Sequence, residues 1–273
     1  MPSLNFHNLK GRLYLDENCY KVCVQKVSLE KPEISIVIPV FNEEKRIAKS
    51  LSRLASYLRR RKLDSEVIVV DDGSNDKTEK ILNDLAQGNR LLRVVRHEKN
   101  KGKGFAVQKG VQLAKGKLIF FTDADLSTPP QEIKRFIEIF NEHPYDGLIG
   151  SRNTPGARLK IKQPCYRQNM GRVFNWFVRK MTPLDFKDTQ CGFKAFRNHA
   201  AKQLFPRLRL EGFAFDVELL MLAREHDFFV KEVPVTWVNS RKSRVSPLTG
   251  SLKMFLELRQ IQKRFNRRKR RQR

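Results

Sequence analysis

The chain is 273 residues long and 40% hydrophobic, which is enough for one large α/β domain with a modest extension. Its four cysteines are too few for a disulfide framework, and Cys19 and Cys23 lack the second Cys or His pair of a zinc site. The formal net charge of +26 is concentrated in residues 151–210 and 241–273, which carry +12 each and call for anionic partners: phosphorylated substrates, acidic lipid headgroups or nucleic acid.

Residues 1–30 have no clear period and read as an N-terminal extension with a strand pair around Tyr20–Val27. From Ile34 the pattern sharpens. Ile34–Val40 is an apolar, β-branched run of strand length, and Ile47, Leu51, Leu54 and Leu58 then recur at helical spacing within Glu44–Arg61. Glu66–Val70 is a second buried strand, followed by a helix over Asp76–Ala86 in which Asp76 and Glu79 have capping-box spacing. A third strand (Leu91–Val95) and helix (Gly104–Ala114) precede a fourth strand, Leu118–Thr122. Pro130–Asn141 reads as a helix and Gly147–Gly150 as a short strand. Further on, Phe213–Arg224 reads as a helix, Phe228–Trp237 as a strand and Leu252–Phe265 as an amphipathic helix. The basic run Arg267–Arg273 is expected to be disordered by self-repulsion.

Strands alternating with helices predict a mostly parallel, Rossmann-like sheet with helices on both faces. Ligands bind outside the carboxyl ends of such strands, which puts Asn42, Asp72 and Asp123 on one rim. The turn after the first long strand, Pro39-Val40-Phe41-Asn42-Glu43-Glu44, carries no glycine fingerprint, and there is no P-loop. Carboxylates holding a metal are the alternative means of binding phosphate. Asp123 and Asp125, one residue apart at a strand end, can point into one site. They would hold Mg²⁺ or Mn²⁺ and leave positions open for phosphate oxygens. On the same rim Asp71 or Asp72 can cap the next helix or accept from a base or ribose, and Glu43 can play a similar polar role. The five histidines have no metal-ligand spacing, and Cys191 has no histidine relay that would make it a nucleophile.

The ordered set Ser35-Ile36-Val37-Ile38-Pro39-Val40-Phe41-Asn42-Glu43-Glu44, Val69-Val70-Asp71-Asp72-Gly73-Ser74, Asn100-Lys101-Gly102-Lys103-Gly104 and Asp123-Ala124-Asp125 resembles family 2 glycosyltransferases of the GT-A fold. Downstream, Asp188-Thr189-Gln190-Cys191-Gly192-Phe193-Lys194 and Phe213-Ala214-Phe215-Asp216-Val217-Glu218 resemble the dolichyl-phosphate β-glucosyltransferase branch, related to the dolichyl-phosphate mannose synthases. The resemblance implies that Pro39, Phe41, Glu43 and Asp72 contact the nucleoside, with Lys103 also on the nucleotide-sugar. It assigns Asp123 and Asp125 to ribose, metal and diphosphate, and Arg152 and Arg167 to donor and acceptor phosphates. Gln190, Lys194 and Arg172 would shape the acceptor pocket, and Ser127 stands where related synthases often have Gln. Residues 31–240 then form the GT-A domain, with 241–273 as an amphipathic helix and polybasic tail.

The activity implied is inverting transfer of a hexose, UDP-glucose being the favoured donor and GDP-mannose the second, to a polyprenyl or dolichyl phosphate. A phosphate monoester has a second pKa of ~6 and needs no general base at neutral pH. A sugar-hydroxyl acceptor would need one, and Asp216 or Glu218 are the candidates. The apolar stripe Met170, Val173, Phe174, Phe177, Val178 and Met181, rimmed by arginines, suits either a bilayer surface or a protein core. No run of ~18 uncharged apolar residues is present, so the expected placement is cytoplasmic and peripheral to an anionic membrane. A non-catalytic nucleic-acid-binding protein is the rival reading, but no nucleic-acid-binding signature accompanies the charge and no specific nucleic acid is expected.

Overall fold

The structure, a computed structural model, describes residues 13–16, 20–23, 31–161, 165–238 and 247–271. β1 (Leu13–Asp16) pairs antiparallel with β2 (Tyr20–Cys23), so the expected strand pair is formed, with its partner strand earlier in the chain than Tyr20–Val27. β3 (Ile34–Val40), β4 (Ser65–Asp71), β5 (Leu92–Arg96) and β6 (Leu118–Phe121) are parallel neighbours in the order β5-β4-β3-β6. Between them run α1 (Ile47–Arg60), α2 (Thr78–Ala86) and α3 (Lys103–Leu113), followed by α4 (Gln131–Glu142) after β6. β7 (Gly147–Ser151) is not the next neighbour of β6. A short strand absent from the sequence reading, β9 (Lys194–Arg197), lies antiparallel between the two. β10 (Val230–Pro234) closes that edge parallel to β7, giving a sheet of nine strands among the described residues. β8 (Arg158–Ile161) pairs with β11 (Thr236–Val238) in a second, two-stranded sheet, so the single strand expected over Phe228–Trp237 is split.

Alternation along the strands builds two cores. Ile36, Ile38, Val67, Val69 and Phe120 face a cluster with α1, α2 and α4. Val37, Ile68, Val70 and Phe121 face the opposite cluster, made with α3, α6 (Asn198–Leu204) and α7 (Phe215–Glu225). Both faces of the central strands are therefore covered, which is why these strands read as unbroken apolar runs.

α8 (Pro247–Arg271) continues through most of the basic run expected to be disordered, because Arg, Lys and Gln are good helix formers and cations are favoured at a helix C-terminus. Its apolar residues Leu258, Ile261 and Phe265 are buried in the α7-side core, so this face is not free for a membrane. Asp76 accepts from Thr78 N at 2.9 Å, but Glu79 turns to Arg96 at 3.4 Å and does not complete a capping box. No helix among the described residues is long and apolar enough to cross a membrane.

Candidate active site

Unequal strand lengths open the crevice. β6 stops at Phe121, paired with Val37, while β3 continues to Val40 alongside β4 only. Pro39 falls in that unshared stretch, where its missing N–H costs no ladder bond to β6. The chain then leaves β6 into a turn holding both candidate carboxylates, so the alternation of a strand does not align Asp123 and Asp125. A turn holds the two residues instead: Leu126 N donates to Asp123 O at 3.0 Å, Ser127 N donates to Asp125 Oδ1 at 2.9 Å, and Leu126 takes φ 47°. A leucine in the left-handed region costs on the order of 1 kcal/mol, and its buried side chain keeps it there.

Charges of both signs crowd this turn. Lys103 Nζ lies 2.6 Å from Asp123 Oδ1, and an Arg46 nitrogen lies 3.8 Å from Asp125 Oδ2. Burial alone would raise the Asp123 carboxyl, but Lys103, with Lys194 and Arg152 behind it, holds it below the usual carboxylate range. Burial and then the Asp123 charge push Asp125 up instead. The far side of Asp123 is closed by backbone: a Cβ on Gly192 would fall 2.0 Å from Asp123 Oδ2.

Arg152 reaches the site from the end of β7. Its Nε and one terminal nitrogen donate to the Asp188 carboxylate at 2.7 and 2.9 Å, and its backbone N donates to the same group at 3.0 Å. Burial disfavours this guanidinium, yet the Asp188 charge more than compensates and raises its pKa, and the same pairing lowers that of Asp188. The guanidinium also lies over the Trp237 ring at 5.6 Å.

Phe41 is 36% exposed at the end of β3, an apolar plate on the rim. Glu43 is buried and accepts from Arg46 at 2.6 Å. Its loop is strapped to the next one: Asn42, at φ 54°, accepts from Asn75 N at 2.7 Å, and Glu43 N donates to Thr78 Oγ1 at 2.8 Å. Asp72 is turned inward. Its oxygens accept from Lys101 N at 3.0 Å and Gly102 N at 2.7 Å, with His97 Nδ1 at 2.8 Å, so it fixes the loop that leads into Lys103.

Asp216 and Lys194 lie beneath the crevice. Lys194 Nζ is fully buried and donates to Asp216 Oδ1 and to Cys191 O, each at 2.5 Å. Burial raises the Asp216 carboxyl despite Lys194 and Lys103. Glu218 accepts from Arg209 N at 3.0 Å, from Leu210 N at 2.8 Å and from Arg264. Both carboxylates are thus buried and engaged by protein groups, and Lys194, fully buried, is not on the acceptor surface. Gln190 N donates to Asp188 Oδ1 at 3.3 Å, and its Nε2 is buried without a partner among the described residues. Arg167 and Arg172 belong to α5 (Cys165–Met181), but their side chains lie outside the described residues. On the rest of α5, Val178 is core and Phe174, Phe177 and Met181 pack against it, whereas Val173 and Trp176 are exposed. The stripe is thus divided between core and surface.

The site has participants that spacing alone does not show. Asp188 orients Arg152, Arg46 neighbours Asp125, and Gly192 makes room for Asp123. Asp188 and Gly192 both fall within the quoted downstream motif, which was the one available signal. Among the described residues no group of three His, Cys, Asp or Glu could hold a metal. Two hard carboxylates are a donor set for a divalent ion that arrives with its other ligands, phosphate oxygens and water, and they fit Mg²⁺ or Mn²⁺ in that sense.

The profile of glycosyl transferase family 2 matches residues 35–205. The dolichyl-phosphate beta-glucosyltransferase of Dictyostelium discoideum is 31% identical over 243 residues, 85% of this chain and 74% of the relative. That of Homo sapiens is 32% identical, covering 97% of this chain and 86% of its own. Glucosyl-3-phosphoglycerate synthase from Mycobacterium tuberculosis, solved with Mn²⁺, UDP-glucose and phosphoglyceric acid, shares the fold at TM-score 0.64 and 20% identity, over 85% of this chain and 80% of that one. With the profile spanning most of the chain and relatives above 30% identity along nearly all of it, this protein is a glycosyltransferase and belongs to glycosyl transferase family 2.

Proposed function

We propose that the protein transfers glucose from UDP-glucose to a dolichyl or other polyprenyl phosphate, with inversion, at the cytoplasmic face of a membrane. The observation that carries this reading is the Asp123–Asp125 turn ringed by Lys103, Arg46 and Arg152, with the two candidate bases, Asp216 and Glu218, buried and paired. The crevice gathers groups for a diphosphate leaving group, yet Asp216 and Glu218 are locked in protein contacts. Such a site suits an acceptor that is already a nucleophile, as a phosphate monoester is at neutral pH. The dolichyl-phosphate beta-glucosyltransferases among its relatives support the acceptor and the sugar, and the fold neighbour solved with UDP-glucose or UDP and Mn²⁺ or Mg²⁺ supports the donor and the metal.

In this reading Phe41 offers a face to the uracil, and Lys103 and Arg152 meet phosphate oxygens. Asp123 and Asp125 would hold the divalent ion, which when bound neutralises charge on the departing UDP. One acceptor phosphate oxygen attacks the anomeric carbon. The carbon–oxygen bond to UDP breaks as the new one forms, UDP leaves with the bonding pair, and an α-linked donor gives a β-linked product. Alignment and charge stabilisation are the protein's contributions. Exposed Val173 and Trp176 on α5, followed by exposed Arg179 and Lys180, supply an interfacial aromatic and cations for acidic headgroups.

The test is to incubate the purified protein with Mn²⁺, radiolabelled UDP-glucose and dolichyl phosphate, with and without EDTA. Label should enter the lipid phase only with metal, and Asp125→Ala should abolish it while leaving the melting temperature intact. Hydrolysis of the donor without lipid product, or full turnover by Asp125→Ala, defeats the reading.

A further inference from the structure

We infer that Lys103 is a built-in counter-ion for Asp123 that blocks a bare divalent cation, so that the metal is admitted with the nucleoside diphosphate and Lys103 then transfers to phosphate. The inference rests on the metal reading above. Asp123 is enclosed on two sides, by Lys103 Nζ at 2.6 Å and by the Gly192 backbone, where a Cβ would come 2.0 Å from Oδ2. Both partners of the pair keep a path to solvent, at 17% exposure for the lysine and 40% for the aspartate, so the pairing is open to exchange.

The backbone beneath Lys103 cannot make that exchange. Lys101 N and Gly102 N are held by Asp72 at 3.0 and 2.7 Å, and Gly104 N donates to Glu211 O at 2.7 Å. A Cβ on Gly102 would meet Glu211 O at 2.4 Å, and one on Gly104 would meet Leu210 O at 2.6 Å, so the start of α3 is wedged against residues 210–212. The amides of Lys101, Gly102 and Gly104 are therefore already used. What remains mobile is the lysine side chain, a compact point charge on a flexible stem. A dication arriving alone meets an ammonium in contact with the carboxylate it needs. A dication arriving with diphosphate brings new anionic oxygens, and Lys103 exchanges one for the other without either charge going unpaired. By linkage, the nucleotide and the metal must then raise each other's affinity by one common factor.

The experiment is a Mn²⁺ titration of the full chain, followed by loss of the free Mn²⁺ EPR signal, with and without saturating UDP. The wild type should bind Mn²⁺ at least tenfold tighter with UDP than without. Lys103→Met should bind Mn²⁺ alone at least tenfold tighter than the wild type, about 1.4 kcal/mol, and its UDP effect should shrink accordingly. Lys103→Gln should behave like Lys103→Met and serves if the methionine variant folds poorly. Mn²⁺ affinity in both variants within twofold of wild type, or equal wild-type affinity with and without UDP, overturns the inference. A wild type that takes up no Mn²⁺ even with UDP instead defeats the metal reading itself and takes this inference with it.

Discussion

Gly192→Ala adds one methyl group against the carboxylate on which the proposed chemistry depends. The new Cβ would lie 2.0 Å from Asp123 Oδ2, 2.4 Å from Cγ and 2.7 Å from Oδ1. Carbon–oxygen contacts settle near 3.3–3.6 Å, so the carboxylate must move by about 1 Å or more. The obstruction is the end of a side chain, and Asp123 is 40% exposed, so the displacement should be cheap for the fold and change stability by less than about 1 kcal/mol. For a group that positions metal and diphosphate, a 1 Å error costs about 10²-fold in rate, equivalent to ~2.7 kcal/mol of transition-state stabilisation. The assay is glucose transfer to dolichyl phosphate under saturating Mn²⁺, run beside a urea melt. The expected result is a hundredfold loss of kcat/KM with near-native stability. Transfer within threefold of wild type would refute the role given to the Asp123 position, and a collapse of stability would mean that Gly192 serves the fold first.

Asp188→Asn should remove the charge that holds Arg152. Breaking a buried pair costs about 3–5 kcal/mol, and with the Arg152 side chain a quarter exposed the lower end applies, about 3 kcal/mol, or a shift of roughly 1 M in the urea midpoint. A change below 0.5 kcal/mol would mean the pair is not structural. Because Asp188 titrates below its unfolded value, its contribution is present above pH ~4 and is lost as pH falls through the lower folded pKa. Acid melts should therefore steepen below pH ~4 in the wild type and less so in Asp188→Asn. The Cys191 thiol is 1% exposed and pushed up to about 11, first by burial. Peptide mapping after iodoacetamide at pH 8 should find it unmodified in native protein and modified in urea, and native labelling at a free-thiol rate would contradict its packing.

The sheet was legible because its strands are buried on both faces and read as apolar runs, which is why Ile34–Val40 matches β3 residue for residue. β9 was not, since Lys-Ala-Phe-Arg is too short and too charged to announce a strand whose lysine is neutralised by Asp216 from another element. The rim carrying Asp123 and Asp125 followed from chain order alone. The partners on it did not, since Asp188 meets Arg152 across 36 positions and Lys103 meets Asp123 across 20. Periodicity also could not decide which face α5 and α8 bury. The same spacing serves a core or a bilayer, and only packing shows that Val178 and Ile261 are inside while Val173 and Trp176 are outside.

The burial of α8 in the core shared by α3 and α7 has a consequence for how the protein is made. Leu258 and Ile261 share a core cluster with Val37, more than two hundred positions earlier. At ribosomal speeds of ~5–20 residues per second, roughly 10–45 s separate the synthesis of those two walls. Until α8 follows, Val37 and its neighbours lack that part of their cover, and Glu218, once made, waits a further 46 positions for the arginine that α8 brings to it. Nascent chains of this protein should therefore be chaperone clients until α8 emerges, and variants that loosen Arg264 or Leu258 should show their defect in yield before they show it in turnover.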